Sequence, residues 1–89
     1  MTTVVVTHAV GDMEVWLAGG AERHELFKAF CSSYRIFRHV DRNEASIVWE
    51  GVDLEKMRAV LGSADGLERK AKHTVIDPIE IYIEVENGS

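Results

Sequence analysis

The stretch Thr2-Thr3-Val4-Val5-Val6-Thr7-His8-Ala9-Val10 decides how the rest of the chain must be arranged. It is a run dominated by β-branched residues, of the length of a strand. Alternation puts Val4, Val6, His8 and Val10 on one face and Val5, Thr7 and Ala9 on the other. Both faces are largely apolar, so the strand belongs in the middle of a sheet covered on both sides. The helical segments further along suffice to cover one side. The second cover is most simply another copy of the same sheet, which predicts a homodimer.

Outward from that strand, Gly11-Asp12 ends it and Asp12 can cap a helix running to about Phe30. The apolar stripe of that helix is Met13, Trp16, Leu17, Gly20, Phe27, Phe30 and Cys31. Gly19-Gly20 predicts a kink or a close approach of backbone to its neighbours. A hairpin follows, with strands Tyr34–Val40 and Ala45–Gly51 around a polar turn. Its expected register pairs Arg35 with Glu50, Ile36 with Trp49 and Phe37 with Val48. Asp53 caps a helix over Leu54–Leu61 that Gly62 stops, and Ser63 caps a further turn through Leu67 to about Lys72. An extended segment from His73 to Pro78 leads into a last strand, where Ile79, Ile81, Ile83 and Val85 alternate with Glu80, Tyr82 and Glu84. The order is β-α-β-β-α-β. Right-handed crossovers then give an antiparallel sheet of order 4-1-3-2 with the helices on one face, an α+β, ferredoxin-like domain over residues 1–86 followed by a frayed tail, 87–89.

Eighty-nine residues make one domain that buries only about 60–65% of the surface its unfolded chain exposes, so association should add to its stability. The net charge of −5, with basic residues scattered, argues against nucleic acid and anionic membranes as partners. Cys31 is the single cysteine, which rules out an intrachain disulfide and makes a cytoplasmic protein the expectation. No apolar stretch approaches the ~18–20 residues of a membrane span.

Several motifs resemble those of the dimeric α+β barrel superfamily of ferredoxin-like domains. They are Val6, His8, Val10, Asp12 and Trp16 at the start, Ser33-Tyr34-Arg35-Ile36-Phe37-Arg38, Asp53-Leu54-Glu55-Lys56, and Val75-Ile76-Asp77-Pro78. That superfamily includes antibiotic-biosynthesis monooxygenases, polyketide cyclases, haem-degrading monooxygenases and many uncharacterised bacterial proteins, to which the chain is most similar. The resemblance covers nearly the whole length and implies a dimer whose two sheets enclose a pocket. The haem-degrading members carry an Asn on the first strand and a Trp on the second helix. This chain has His8 and no aromatic residue at those places, which speaks against haem degradation. Where similar members often have glycine before the Val-Ile pair, this chain has Thr74, so the backbone there is expected to differ.

Among residues able to carry chemistry, His8 is placed toward the space between the two sheets, because the small Val5 and Ala9 suit helix packing better. There it could act as a general base, against the alternative of a hydrogen-bonded structural histidine. Tyr82, with Glu80 and Glu84, should face the same space as an acid/base set, or the glutamates should lie at the rim paired with Arg35 or Arg38. Trp49 and Trp16 are core residues or walls of an aromatic-lined pocket. His73, near Lys70 and Lys72, is a solvated residue or part of a lid. The catalytic candidates are thus His8 and Tyr82, and the substrate-binding candidates Trp49, Arg38, Glu80 and His73. The histidines show no helical i,i+4 pair and no cysteine company, so no metal is expected, and no cofactor is indicated. The reading that follows is a homodimer binding a small aromatic or apolar molecule, with cofactor-independent monooxygenase or cyclase-like chemistry. The competing reading is a non-catalytic dimeric binding or assembly module.

Overall fold

The computed structural model describes residues 1–85. Its strands are β1 (Thr2–Val10), β2 (Ser33–Arg38), β3 (Glu44–Val52) and β4 (Val75–Ile83), and its helices α1 (Met13–Ala18), α2 (Gly20–Phe27), α3 (Leu54–Leu61) and α4 (Ala64–Lys72). The sheet order is β2-β3-β1-β4 with antiparallel pairing throughout, which is the predicted 4-1-3-2 order read from the other edge. β1 is central, as its composition requires. The expected tail, 87–89, lies outside the described residues.

The local punctuation is as read from the sequence. Asp12 accepts a hydrogen bond from Val15 N, Asp53 from Lys56 N, and Ser63 from Gly66 N, each satisfying a donor that a helix start leaves unpaired. The first helical segment, expected as one bent helix, is divided at Gly19 into α1 and α2.

Two packing expectations are overturned. Val4, Val6, His8 and Val10 lie beneath the helices, not on the open side. Partner strands decide this: residues opposite one another share a face, so β1 brings Val4 beside Trp49, Val6 beside Ile47 and His8 beside Ala45, all buried. The other face of the hairpin carries Ser33, Arg35, Ser46 and Glu50, too polar to sit under helices. The hairpin register also differs, pairing Arg35 with Val48, Ile36 with Ile47 and Phe37 with Ser46. The turn begins one residue early because the His39 ring accepts hydrogen bonds from Asp41 N and Arg42 N at 3.0 Å, leaving Val40 in the loop. The slip is two residues, so the faces are unchanged. Arg35 still reaches Glu50, diagonally, at 3.6 Å.

Ile79, Ile81 and Ile83 of β4 share the helix-side face, Ile83 opposite Val4 and Ile81 opposite Val6, whereas Ile76, opposite Ala9, faces the open side. Only Ile79 of these packs against the core, however, and Ile81 and Ile83 remain about half exposed, because α4 meets this edge strand near its start, through contacts such as Lys70 with Asp77, and leaves its far end uncovered. Between Thr7, opposite Glu80, and Ala9, opposite Ile76, the β1–β4 ladder is irregular, so β4 bulges beside His8. The Asp77-Pro78 bond within that bulge is cis. Thr74, just before β4, takes φ 61°, the left-handed geometry a glycine would favour.

A cavity between sheet and helices

Next to the bulge in β4, His8 and Ile79 face the helix side of the sheet. A cavity of about 100 Å³ opens there, with His8, Trp16, Arg23, Trp49 and His73 in its wall and Val6, Phe27, Ile47 and Ile79 among its apolar lining. By comparison, an apolar cavity of about 150 Å³ holds one benzene molecule, so the space is at most that of one small ring and takes one only with some shift of its lining side chains. Elements from across the chain meet here: β1 supplies His8, α1 Trp16, α2 Arg23, β3 Trp49 and the end of α4 His73.

His8 is 6% exposed, and its ring meets Trp16 edge to face at 5.8 Å. Its Nδ1 lies 2.9 Å from the Ala9 carbonyl oxygen. A carbonyl only accepts, so Nδ1 carries the proton and Nε2 of the neutral ring holds a free lone pair. Burial lowers the His8 pKa from its ordinary 6.5, and the nearby positive charges of Arg23 and Lys70 lower it further, although the Ala9 hydrogen bond acts the other way. The ring is therefore neutral at neutral pH, with Nε2 able to accept a proton.

Arg23 was absent from the sequence reading and is the least ordinary residue in the wall. It is 6% exposed, and neither Nε nor Nη1 has a hydrogen-bond partner. Its guanidinium lies 4.1 Å from the Trp16 ring centroid. Such a cation–π contact offsets about 0.5–2 kcal/mol. A buried donor without an acceptor costs about 1–3 kcal/mol, more when charged, and stacking does not satisfy its N–H groups. Trp49 Nε1 is a further buried donor without an acceptor. The signal for Arg23 was in the sequence, since Trp16, Gly20, Arg23, Phe27 and Phe30 continue one stripe at spacings of three and four. A charge inside that stripe had to be buried or had to bend the helix.

His73 is 5% exposed, and its Nε2 lies 3.1 Å from Glu22 Oε2, whose other oxygen receives Lys72 Nζ at 2.6 Å. The hydrogen bond from Lys72, with the charge of Lys72 and the bond to His73 behind it, holds the Glu22 carboxyl below its usual range. His73 also explains Gly19. A Cβ there would fall 2.6 Å from His73 Nε2, so the ring lies flat against bare backbone where α1 gives way to α2.

Of the candidate residues, His8, Trp49 and His73 are brought together in this wall. Tyr82 and Glu80 are not. They lie on the opposite face of the sheet, where Tyr82 is 55% exposed and donates to Glu80 Oε2 at 2.9 Å. That bond raises the phenol pKa above its usual range. Arg38 is exposed at the end of β2 and does not line the cavity. Burial raises the Cys31 thiol, as expected of a packing residue. Among the described residues no group of three or more His, Cys, Asp or Glu side chains could hold a metal ion, and no helix is long and apolar enough to cross a membrane.

The fold is that of the antibiotic-biosynthesis-monooxygenase-like ferredoxin-fold proteins. A protein of Bordetella bronchiseptica provisionally called an antibiotic biosynthesis monooxygenase superposes with a TM-score of 0.75 at 18% identity, covering 96% of this chain and 95% of its own. Protein Atu4242 of Agrobacterium tumefaciens does so with a TM-score of 0.71 at 20% identity, covering 96% and 92%. SnoaB, a cofactor-independent oxygenase of Streptomyces nogalater, matches with a TM-score of 0.71 at 15% identity, covering 97% and 92%. No protein-family model matches the sequence, and no curated protein does.

Proposed function

We propose that this chain is a homodimeric small-molecule-binding protein whose ligand occupies the cavity between sheet and helices, and that His8 acts there as the base of a cofactor-independent oxygenase or cyclase-like reaction. The observation that carries the reading is the state of His8: a neutral imidazole with its tautomer set by Ala9, its Nε2 free, in the wall of an otherwise apolar, aromatic-lined space. Such a group suits removal of a proton from an acidic C–H or O–H of a small aromatic compound. The carbanion so formed can attack a carbonyl within the same molecule, which is cyclisation. It can also give its electrons to dioxygen, one oxygen atom replacing two hydrogens at the carbon and the other leaving as water. SnoaB, of the same fold, is a cofactor-independent oxygenase, which supports the second route.

The test is solvent deuterium exchange at the benzylic C–H of phenylpyruvate, a one-ring carbon acid, followed by proton NMR. The expected result is exchange faster than in buffer, reduced about 100-fold in His8→Gln. Exchange unchanged by His8→Gln would remove His8 as the base. Binding without any exchange would favour the non-catalytic module.

A further inference from the structure

We infer that the cavity takes its ligand as an anion, and that Arg23 is the group that receives the negative charge: the ligand class is a one-ring aromatic acid. This rests on the cavity being the ligand site, but not on any reaction at His8.

The inference comes from a count of donors and acceptors in the wall. Arg69 is bonded to Asp65 and to the Glu22 carbonyl, and Lys70 to Asp77. The Glu22 carboxylate is engaged by Lys72 and His73. Among the described residues that line the cavity, Arg23 is the cation left without an acceptor, through Nε and Nη1, and Trp49 Nε1 is a third unused donor. No carboxylate stands in the wall to answer them. A neutral hydrocarbon in this space would leave the guanidinium charge of Arg23 unanswered, whereas a carboxylate beside it neutralises that buried charge, and a small turn of the Arg23 and Trp49 side chains would bring their now fully covered Nε, Nη1 and Nε1 donors within reach of its lone pairs. The ring of the same ligand would meet Trp16, Trp49 and Phe27, and the volume of about 100 Å³ limits it to one ring.

The arrangement also separates a binding role from a packing role. Were Arg23 held only for its stacking on Trp16, an apolar chain of similar length would lose that contact and destabilise the fold. Were it held for an absent anion, the same change would remove an unpaired buried charge and leave the free protein as stable or more so.

The experiment is a titration of benzoate and of benzamide, nearly the same shape but neutral, read by tryptophan fluorescence, because both tryptophans of the chain stand in the cavity wall. Wild type should bind benzoate at least tenfold more tightly than benzamide. In Arg23→Met the preference should fall to within twofold, benzamide affinity should be kept, and the ligand-free Tm should be unchanged or raised. Equal affinity of wild type for the two compounds overturns the inference while leaving the cavity a ligand site. Binding of neither overturns the inference together with the proposed function. A large fall in Tm for Arg23→Met overturns it in favour of a packing role, and if that variant does not fold, the wild-type comparison decides alone.

Discussion

His8 shows how a single residue ties stability to chemistry. Its folded pKa is lowered, so between that value and the ordinary 6.5 the unfolded chain binds more protons than the native one, and stability rises with pH. The stabilisation is thus present above pH 6.5 and lost as pH falls toward the folded pKa. Thermal unfolding between pH 7.5 and 5 should show a Tm that declines on acidification, and the decline should be shallower in His8→Gln. Equal slopes would mean that the imidazole is not buried in its neutral form. Gly19 offers a second check at this scale. In Gly19→Ala the new methyl would collide with the His73 ring, costing about 1–3 kcal/mol and breaking the Glu22 contact. Denaturant unfolding measures the loss, and a neutral result would mean that the ring moves aside freely.

At the scale of elements, what the sequence made legible was what is local. Asp12, Asp53 and Ser63 were readable as caps because a cap is decided within about four residues. The facing of β1 was not readable from β1, because Val4 and Val5 are equally apolar and the choice between them was made by Ser46 and Glu50 two strands of sequence away. The hairpin register failed for a different reason: the contact is local, but a histidine ring capping a turn is not one of the usual turn signals. The candidate site was half legible: alternation grouped His8 with Val6 and the helical stripe through Trp16 and Phe27 included Arg23, but neither pattern could place His73 or show that Arg23 lacks an acceptor, which depends on tertiary packing. The α4–β4 junction shows tertiary override of propensity. Thr74 holds φ 61°, costly for a β-branched residue, and in return its Oγ1 accepts from Asp12 N at 3.0 Å and donates to the Asp12 carbonyl at 3.2 Å. Thr74→Val keeps the strain and loses both bonds, so chemical denaturation should show a loss of about 1–2 kcal/mol. A change below measurement error would mean that water replaces the hydroxyl without cost.

For the whole molecule the open face of the sheet sets the argument. All four helices stand on the other side, yet the exposed side carries a row formed by Arg35, Val48, Val5 and Tyr82, with Phe37 and Ile76 nearby and about half exposed. A half-solvated antiparallel sheet normally turns polar residues outward, and here Val5, Val48, Tyr82, Phe37 and Ile76 stand among Arg35, Ser46 and Glu50, a mixed face with the apolar centre and polar surround of a surface between protein copies rather than of a plain solvated or helix-packed one. The cover proposed is a second copy. Light scattering over a dilution series should therefore give about twice the chain mass of 10.0 kDa. Val48, flanked by Arg35 and Val5, lies within that row, and Val48→Lys would place an unpaired charge in the interface while projecting away from the helix-side core. That variant should shift to single chains at micromolar concentration with its far-UV circular dichroism retained. The cavity lies on the helix side of each chain, so the single-chain variant should still bind benzoate. Wild type found as a stable single chain would refute the dimer, and loss of binding on dissociation would mean that the partner copy completes the ligand site.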